Sequence, residues 1–308
     1  MAYRFKLVMP PLFIGIDAGG TKTHLYASSR EGHHVFEGRG GPANLRVQGV
    51  AGCFDTITSL TDEAQDTLDL PLGGVCVGAA GAGDPSLRYQ LEDRLRRWTS
   101  VPLIVTTDAD IALHAALGTE SGYLVIAGTG SIVYGRDASG AIHRAGGWGW
   151  TLGDDGSGTA LGQAVLRAAA AAFDGGPPTD LVDLLAQRYS VQQLSDVLTL
   201  AFQTPSLSTF APLVFEAVDA DDAVALAILQ HATQNLSVHL LRLATQHPSI
   251  PRRAFLTGGV TCQAPFSEAL RQALNTANAT AWQLAPSPME PHRGAWAMIA
   301  PDTQPSAA

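Results

Sequence analysis

The sequence predicts an α/β protein built from two copies of one unit, each with a mixed sheet, and two domains with a ligand cleft between them. Two stretches share one order of elements: a strand, a glycine-rich corner, a strand, a polar turn, a strand and a closing glycine pair. From the corner to the closing glycines, the first stretch runs from Gly19 to Gly40 and the second from Gly128 to Gly146. Segments with helical periodicity follow each stretch. The 308 residues are enough for two separate cores.

The first copy opens with three strands and continues with alternating helices and strands. Apolar residues between Val47 and Leu68 recur at intervals of three and four, which predicts an amphipathic helix. Asp84 followed by Pro85 is typical of a helix start, with a capping residue before a proline. The predicted strands cover residues 12–17, 23–28, 33–38, 74–81 and 101–108, and the predicted helices cover residues 47–68, 85–98 and 108–118.

The second copy has the same opening followed by a longer helical region. The predicted strands cover residues 122–131, 131–137, 140–147, 252–260 and 280–285, and the predicted helices cover residues 157–173, 180–189, 191–202, 209–218, 221–246, a stretch from about 265, and 292–299. We therefore expect one domain at residues 1–117 and a second at residues 118–308. The last helix, at about 292–300, is expected to pack back on the first domain.

The composition limits the class of partner. The formal net charge is −9 and only 15% of the residues are charged, which argues against nucleic acid or a membrane surface as the main partner. Three cysteines, Cys53, Cys76 and Cys262, lie far apart in the sequence and form no metal or disulfide motif. This pattern fits the reducing cytoplasm. No apolar run approaches the ~18 residues of a membrane span.

Three glycine-rich corners predict a nucleotide site. They lie within DAGGTKT (residues 17–23), AGTGS (127–131) and LTGGV (256–260). Backbone N–H groups at tight turns can hold phosphate oxygens, and glycine permits a close approach. One glycine pair alone would indicate an ordinary hairpin, but three in a duplicated frame favour phosphate binding. Lys22 stands one position too late for a P-loop, and G-x-G-x-x-G is absent from all three corners. Asp17, at the end of its strand, could hold a hydrated Mg²⁺.

The motifs GIDAGGTKT, VIAGTGSI, GGWGWTLGDDGSG and FLTGGV resemble the N-acetylglucosamine kinase branch of the BadF/BadG/BcrA/BcrD-type ATPases. The resemblance runs in order from Phe13 to about Ala300. It implies the duplicated ribonuclease H-like (actin-like ATPase) fold of the actin/hexokinase/Hsp70 superfamily, with ATP and Mg²⁺ as cofactors and a homodimer as the assembly. The implied reaction is phosphorylation of an amino sugar, first of all N-acetylglucosamine to its 6-phosphate. Glucosamine or another hexosamine is an alternative substrate.

The resemblance also implies roles for individual residues. Asp108 would be the catalytic base, and it would contact the sugar. The first phosphate loop would contain Asp17, Gly19, Gly20, Thr21 and Lys22, the second Gly128, Thr129, Gly130 and Ser131. Gly258 and Gly259 would lie against the adenosine. Asn44, Trp148, Gly149 and Asp154 would line the sugar site.

Some of these side chains also have a purely structural explanation. Asp108 opens a helix and could be its N-cap, a duty that Asp110 could share. Trp148, between glycines, suits stacking on a sugar face, whereas Trp150 fits a core position better. Asp154 or Asp155 could cap the helix that follows them.

A different function within the same superfamily is also open. Activator ATPases couple ATP hydrolysis to electron transfer and hold an iron–sulfur cluster between two subunits. They need cysteines at that interface, and none of the three cysteines stands in a context typical of a cluster ligand.

Overall fold

The computed structural model describes residues 9–300, apart from residues 31, 33, 34 and 278–280. The chain forms two compact units. The first contains Met1–Thr119 together with Pro288–Ala308, and the second contains Glu120–Ser287. The chain therefore passes from the first unit to the second once and returns once.

The first unit is a five-stranded mixed sheet with helices. The sheet order is β3-β2-β1-β4-β5, in which β1 pairs antiparallel with β2 and parallel with β4. The β2–β3 pair is antiparallel and the β4–β5 pair is parallel. The elements are β1 (Leu12–Ala18), β2 (Thr23–Ser29), β3 (Phe36–Gly40), α1 (Gly49–Leu68), β4 (Leu72–Ala79), α2 (Pro85–Trp98), β5 (Leu103–Thr107), α3 (Asp108–Leu117) and the last helix of the chain, α10 (Pro291–Ile299).

The second unit repeats this sheet. Its order is β10-β9-β6-β7-β8, so β6 takes the place of β1, and each pair has the same direction as its counterpart. The elements are β6 (Gly122–Ala127), β7 (Ser131–Arg136), β8 (Ile142–Gly146), α4 (Gly158–Phe173), α5 (Asp180–Tyr189), α6 (Leu194–Gln203), α7 (Ala211–Asp219), α8 (Ala223–Gln246), β9 (Arg253–Thr257), α9 (Ala264–Ala277) and β10 (Gln283–Pro286). The duplicated α/β fold predicted from the sequence is confirmed.

Several strands and helices begin at residues other than those predicted. The strand predicted at 33–38 is β3, which begins at Phe36; residues 33 and 34 lie outside the described residues. The strand predicted at 280–285 is β10, which begins at Gln283, and residue 280 lies outside them as well. The helix predicted at 209–218 is a 3-10 helix, Leu207–Phe210, followed by α7. Pro212 explains the start of α7, because its fixed φ and missing N–H suit the first helical turn.

Each unit has its own apolar core. In the first, Ile14, Ile16 and Val75 of the sheet are fully buried, as are Cys53 and Ile57 of α1. In the second, the sheet and the helices α4, α7 and α8 enclose a larger cluster that includes Val165, Phe210 and Leu240. Burial of apolar surface is the main force that holds each unit together.

The last helix packs within the first unit at very close range. Gly294 of α10 faces the carbonyl oxygen of Ile111 in α3, and a Cβ on this glycine would collide with that oxygen. Glycine at 294 therefore sets how closely α10 and α3 approach. Both helices also pack on β1, the strand that contains Asp17.

Candidate active site

The first glycine turn lies between β1 and β2. The N–H of Gly19 donates to the carbonyl oxygen of Lys22 at 3.1 Å, which closes the turn. Gly20, Thr21 and Lys22 are exposed at its tip. The N–H of Ala43 donates to the carbonyl oxygen of Gly19 at 2.9 Å, so the segment after β3 is tied to the same turn.

Asn44 lies beside this turn. Its Oδ1 accepts a hydrogen bond from the N–H of Arg46, and its own N–H donates to Oε1 of Gln48. The Nδ2 group lies 3.8 Å from the position that a Cβ on Gly20 would take. The structure thus places Asn44 next to the first predicted phosphate loop, within the same unit.

Two carboxylates lie at the same edge of the first sheet. Asp17 is near the end of β1 and Asp108 directly follows β5, and β4 pairs in parallel with both strands. Burial, and next the charge of Asp108, raise the pKa of Asp17 to about 6, while Lys22 acts in the opposite direction. Loss of hydration also raises the pKa of Asp108, although its side chain is solvent-accessible. In both residues the fold favours the protonated carboxyl group over the charged one.

The N-cap of α3 is Thr107, not Asp108. The Thr107 hydroxyl accepts from the N–H of Asp110, and the Asp110 carboxylate accepts from the N–H and the hydroxyl of Thr107, which makes a capping box. The Thr106 hydroxyl also donates to Asp110. Asp108 occupies the first helical position, where its Oδ1 accepts from the adjacent N–H of Ala109 at 3.0 Å. The interpretation of Asp108 as a helix cap is therefore wrong.

The second glycine turn lies between β6 and β7. The N–H of Gly128 donates to the carbonyl oxygen of Gly130 at 2.9 Å. The first turn of α4 rests on it: the N–H of Gly158 donates to the carbonyl oxygen of Gly128 at 2.7 Å, and both the N–H and the hydroxyl of Thr159 donate to that of Thr129. A helix N-terminus with its positive dipole end therefore adjoins the turn.

Asp154 lies against this second turn. Burial raises the pKa of Asp154 and outweighs the backbone N–H groups of Gly149 and Ser131, which bond to the carboxylate and lower its pKa. A Cβ on Gly130 would come within 3.0 Å of the Asp154 carboxylate. Neither Asp154 nor Asp155 caps α4, because that role belongs to Ser157, whose hydroxyl accepts from the N–H of Ala160.

The third glycine corner lies beside the second. Gly258 has φ +103°, and a Cβ there would collide with the carbonyl oxygen of Ala127. The N–H of Val260 donates to the same oxygen at 3.0 Å. Gly258 and Gly259 are thus held next to the turn at residues 128–131.

The loop between β8 and α4 carries both tryptophans. Trp148 is 64% exposed, and the guanidinium of Arg144 lies 4.4 Å from its ring centroid, a cation–π contact. Trp150 is 70% exposed, so its prediction as a core residue is wrong. Between the two indoles, a Cβ on Gly149 would meet no atom within 4 Å, so open space adjoins this part of the loop.

A cavity of about 610 Å³ opens beside this loop within the second unit. Among its lining residues are Trp150, Leu152, Asp154 and Thr159. This volume is within the usual range of small-molecule sites. A shallow groove of about 670 Å³ on α1 is lined mainly by acidic and hydroxyl side chains and contains none of the predicted site residues.

Comparison with known proteins identifies the family. The model of the BadF/BadG/BcrA/BcrD ATPase family matches residues 14–297. The chain belongs to this family.

Relatives with curated names are sugar kinases of this type. An N-acetylmuramic acid/N-acetylglucosamine kinase of Clostridium acetobutylicum is 32% identical over 232 residues, 72% of this chain and 76% of that protein. An N-acetyl-D-glucosamine kinase of Dictyostelium discoideum is 30% identical over 248 residues, 73% of this chain and 76% of that protein. A crystal structure from Chromobacterium violaceum, provisionally named an N-acetylglucosamine kinase, superposes with a TM-score of 0.75 at 25% identity, covering 93% of this chain and 98% of that one.

The glycine turns of this family member fit a nucleoside triphosphate. A Cβ on Gly128 or on Gly259 would meet no atom within 4 Å, so open space adjoins the backbone at both corners. The first N–H groups of α4 are bonded within the protein, so this helix contributes the positive end of its dipole, which favours phosphate charge there. ATP, the nucleotide that the family name implies, is compatible with these residues.

Asp17 fits a magnesium ion. Mg²⁺ is usually held by one or two carboxylates together with water and nucleotide phosphates. In the described part of the chain no three His, Cys, Asp or Glu residues are grouped as a metal site, and a nucleotide-bound Mg²⁺ does not require such a group. A cation beside Asp17 would offset the desolvation and the repulsion from Asp108 that raise its pKa.

The predicted site residues fall into two groups. Within the first unit, the structure brings together Asp17, Gly19, Gly20, Thr21, Lys22, Asn44 and Asp108; within the second, it brings together Gly128, Thr129, Gly130, Ser131, Gly149, Asp154, Gly258 and Gly259, with Trp148 in the adjoining loop. Sequence reasoning missed Thr107, although Thr-x-x-Asp is a recognisable capping pattern. It also missed His239, for which the sequence has no local signal.

None of the helices in the described residues is both long and apolar enough to cross a membrane.

Proposed function

We propose that the chain is an ATP-dependent kinase that phosphorylates an amino sugar, with N-acetylglucosamine as the preferred substrate and its 6-hydroxyl as the acceptor. The observation that carries the proposal is the state of Asp108. Its carboxylate follows a strand end, has a raised pKa, and takes no part in the capping box that its neighbours form. A solvent-accessible carboxylate of this kind is available to accept a proton.

In the proposed mechanism Asp108 is the general base. It accepts the proton of the sugar hydroxyl as the oxygen attacks the γ-phosphorus, and the bond from that phosphorus to the β,γ-bridging oxygen breaks, so that ADP leaves. Phosphoryl transfer depends mostly on positioning and on neutralisation of charge. The backbone N–H groups of the two glycine turns would hold phosphate oxygens, and Asp17 would hold Mg²⁺, which supplies positive charge to neutralise the phosphates. Lys22 is exposed at the tip of its turn and contributes charge rather than a P-loop contact.

The choice of sugar is supported by the relatives and by residue types. The two relatives at 30% identity or more are named as kinases of N-acetylated amino sugars, and a glucosamine kinase of Vibrio cholerae is 26% identical. Asn44 and Asp154 offer an amide and a carboxylate for sugar hydroxyls. Trp148 offers an apolar face, with Gly149 beside it.

A coupled assay of ADP release across a panel of sugars tests this proposal. The panel contains N-acetylglucosamine, glucosamine, N-acetylmuramic acid and glucose. We expect kcat/KM for N-acetylglucosamine to exceed that for glucose by at least ~10-fold, which is about 1.4 kcal/mol of transition-state discrimination. Faster turnover of glucosamine than of its acetylated form would contradict the sugar choice, and no ADP release with any sugar would contradict the kinase.

The activator ATPase is less well supported. Burial raises the pKa of Cys53 to about 11 and that of Cys76 to about 12, which disfavours the thiolate form that ligates iron. Cys262 is the exposed cysteine. We expect purified protein to contain no iron; a brown, oxygen-sensitive preparation would favour the activator function instead.

The assembly and compartment complete the proposal. We propose a cytoplasmic homodimer without a nucleic-acid or membrane partner. The three free cysteines suit a reducing compartment. Sedimentation velocity of the full chain at several concentrations tests the dimer, and a single monomer boundary throughout would contradict it.

A further inference from the structure

A histidine of α8 is bound to the residue that follows Asp154. Nε2 of His239 lies 3.0 Å from Oδ2 of Asp155, so the ring N–H donates to the carboxylate. The side chain of His239 is only 13% exposed. Its Nδ1 is buried and has no hydrogen-bond partner among the described residues. The bond to Asp155 is therefore the polar contact that orients this ring.

Asp155 connects His239 to the second glycine turn. The backbone carbonyl of Asp155 accepts a hydrogen bond from the hydroxyl of Ser131 at 2.7 Å. Ser131 is buried and ends the turn that begins at Gly128. Two hydrogen bonds thus lead from α8 to the predicted phosphate loop, through residues that are far apart in the sequence.

The same imidazole supports the other end of the loop at residues 147–154. Gly146 ends β8 with φ +71°, and a Cβ there would lie 3.3 Å from Cδ2 of His239. The ring therefore packs on bare backbone at the start of the loop and bonds to Asp155 just beyond its end. Hydrogen bonds inside the loop, from Trp148 N–H to Gly153 and from Gly153 N–H to Gly149, make it one compact segment.

We infer that His239 is a positioning residue for this site: it fixes both ends of the loop that carries Trp148 and Asp154, and through Asp155 it holds Ser131 of the second phosphate turn. The inference rests on the proposed function, because it gives the loop and the turn their ligands. His239 contacts no reacting atom. Removal of its N–H is expected to weaken nucleotide binding more than it lowers kcat. The second glycine turn loses a support, whereas Asp108 belongs to the other unit and keeps its own contacts.

Three substitutions separate the hydrogen bond from simple packing. His239→Gln retains a donor near the place of Nε2. His239→Leu retains bulk without a donor, and His239→Ala removes both. His247→Ala is the matched control, because this histidine follows the same helix and stacks on His143, at a ring distance of 3.6 Å, outside the network.

The measurements are calorimetric titration with ADP and Mg²⁺ in the absence of sugar, steady-state kinetics and thermal unfolding. We expect the Kd and the KM for nucleotide to rise at least about 10-fold in His239→Leu and His239→Ala, kcat to change less than about 3-fold, and His239→Gln to recover most of the affinity. His247→Ala is expected to bind as the wild type does.

The outcomes distinguish the inference from the function on which it rests. If the wild type binds nucleotide and His239→Leu binds it equally well, His239 is only a packing residue and the inference is wrong. If the melting temperatures of the variants fall in proportion to their nucleotide affinities, and His239→Gln recovers no affinity, the inference is wrong as well. If the wild type itself binds no nucleotide, the proposed kinase is wrong.

Discussion

At the start of α3, between Thr106 and Asp110, the residues that cap the helix differ from the residue proposed to take part in the reaction. Thr107 and Asp110 satisfy each other's polar groups in the capping box, and the hydroxyl of Thr106 adds a further bond to Asp110. Asp108, between them, bonds to local backbone N–H groups outside the capping box and has a raised pKa. Capping therefore does not depend on Asp108, and substitutions at positions 108 and 110 should have different consequences.

Asp108→Asn is expected to lower kcat by at least ~100-fold, because general base assistance is typically worth 10²–10⁴-fold. Asparagine has nearly the same shape, so the melting temperature and the affinities for sugar and ATP should stay close to those of the wild type. Asp110→Ala is the matched variant, expected to lose about 1 kcal/mol of stability with its cap. Near-normal turnover of Asp108→Asn would remove Asp108 as the base and direct attention to Asp154.

Asp17→Asn is expected to raise the melting temperature at pH 8 without Mg²⁺ and to abolish turnover. The pKa of Asp17 is about 6 in the fold, above the ordinary value of 3.8 for an aspartate, so folding favours the protonated form. The charged carboxylate destabilises the fold above pH 6, and this cost declines as the pH falls from 6 towards 4. The advantage of Asn should decline over the same range. A variant less stable than the wild type at pH 8 would show that the raised pKa has no such cost.

At the scale of elements, α10 is the clearest case of close packing. Gly294 lies against the carbonyl oxygen of Ile111 in α3, and α10 also packs on β1. The strand and the helix that hold Asp17 and Asp108 thus share one neighbouring helix. The position of α10 should affect both carboxylates.

Gly294→Val is expected to lower the melting temperature by at least about 5 °C, because inserted bulk at a backbone contact costs about 1–3 kcal/mol or more. Gly83→Val is the control, since a Cβ on Gly83 would meet no atom within 4 Å. Thermal unfolding followed by circular dichroism compares the two. Equal melting temperatures would mean that α10 can shift without cost.

Sequence patterns predicted most of these elements because their causes are local. The apolar run of β1, the Asp84–Pro85 start of α2 and the periodicity of α1 each depend on neighbouring residues, and each element is found. Trp150 was placed wrongly because its burial depends on what else packs near the loop. The bond between His239 and Asp155 joins residues 84 positions apart, and no local pattern encodes such a contact.

At the scale of the whole molecule, one strand order serves two units of different size. The second unit inserts α4 to α8 between β8 and β9, where the first has only α1 between β3 and β4. The second core is accordingly larger and mostly helical. Both glycine turns nevertheless follow the equivalent strands, β1 and β6. Duplication therefore explains why two loops with similar chemistry exist in one chain.

Two separate cores predict that heat unfolds the chain in more than one step. In scanning calorimetry the measured enthalpy should exceed the van't Hoff enthalpy of a single transition, which is the sign of more than one cooperative unit. Substitutions should then assign the steps. Gly294→Val should lower the transition of the first unit. Gly162→Val should lower that of the second, because a Cβ on Gly162 of α4 would collide with the carbonyl oxygen of Leu207. One transition with equal enthalpies, lowered alike by both changes, would show that the two cores unfold as one.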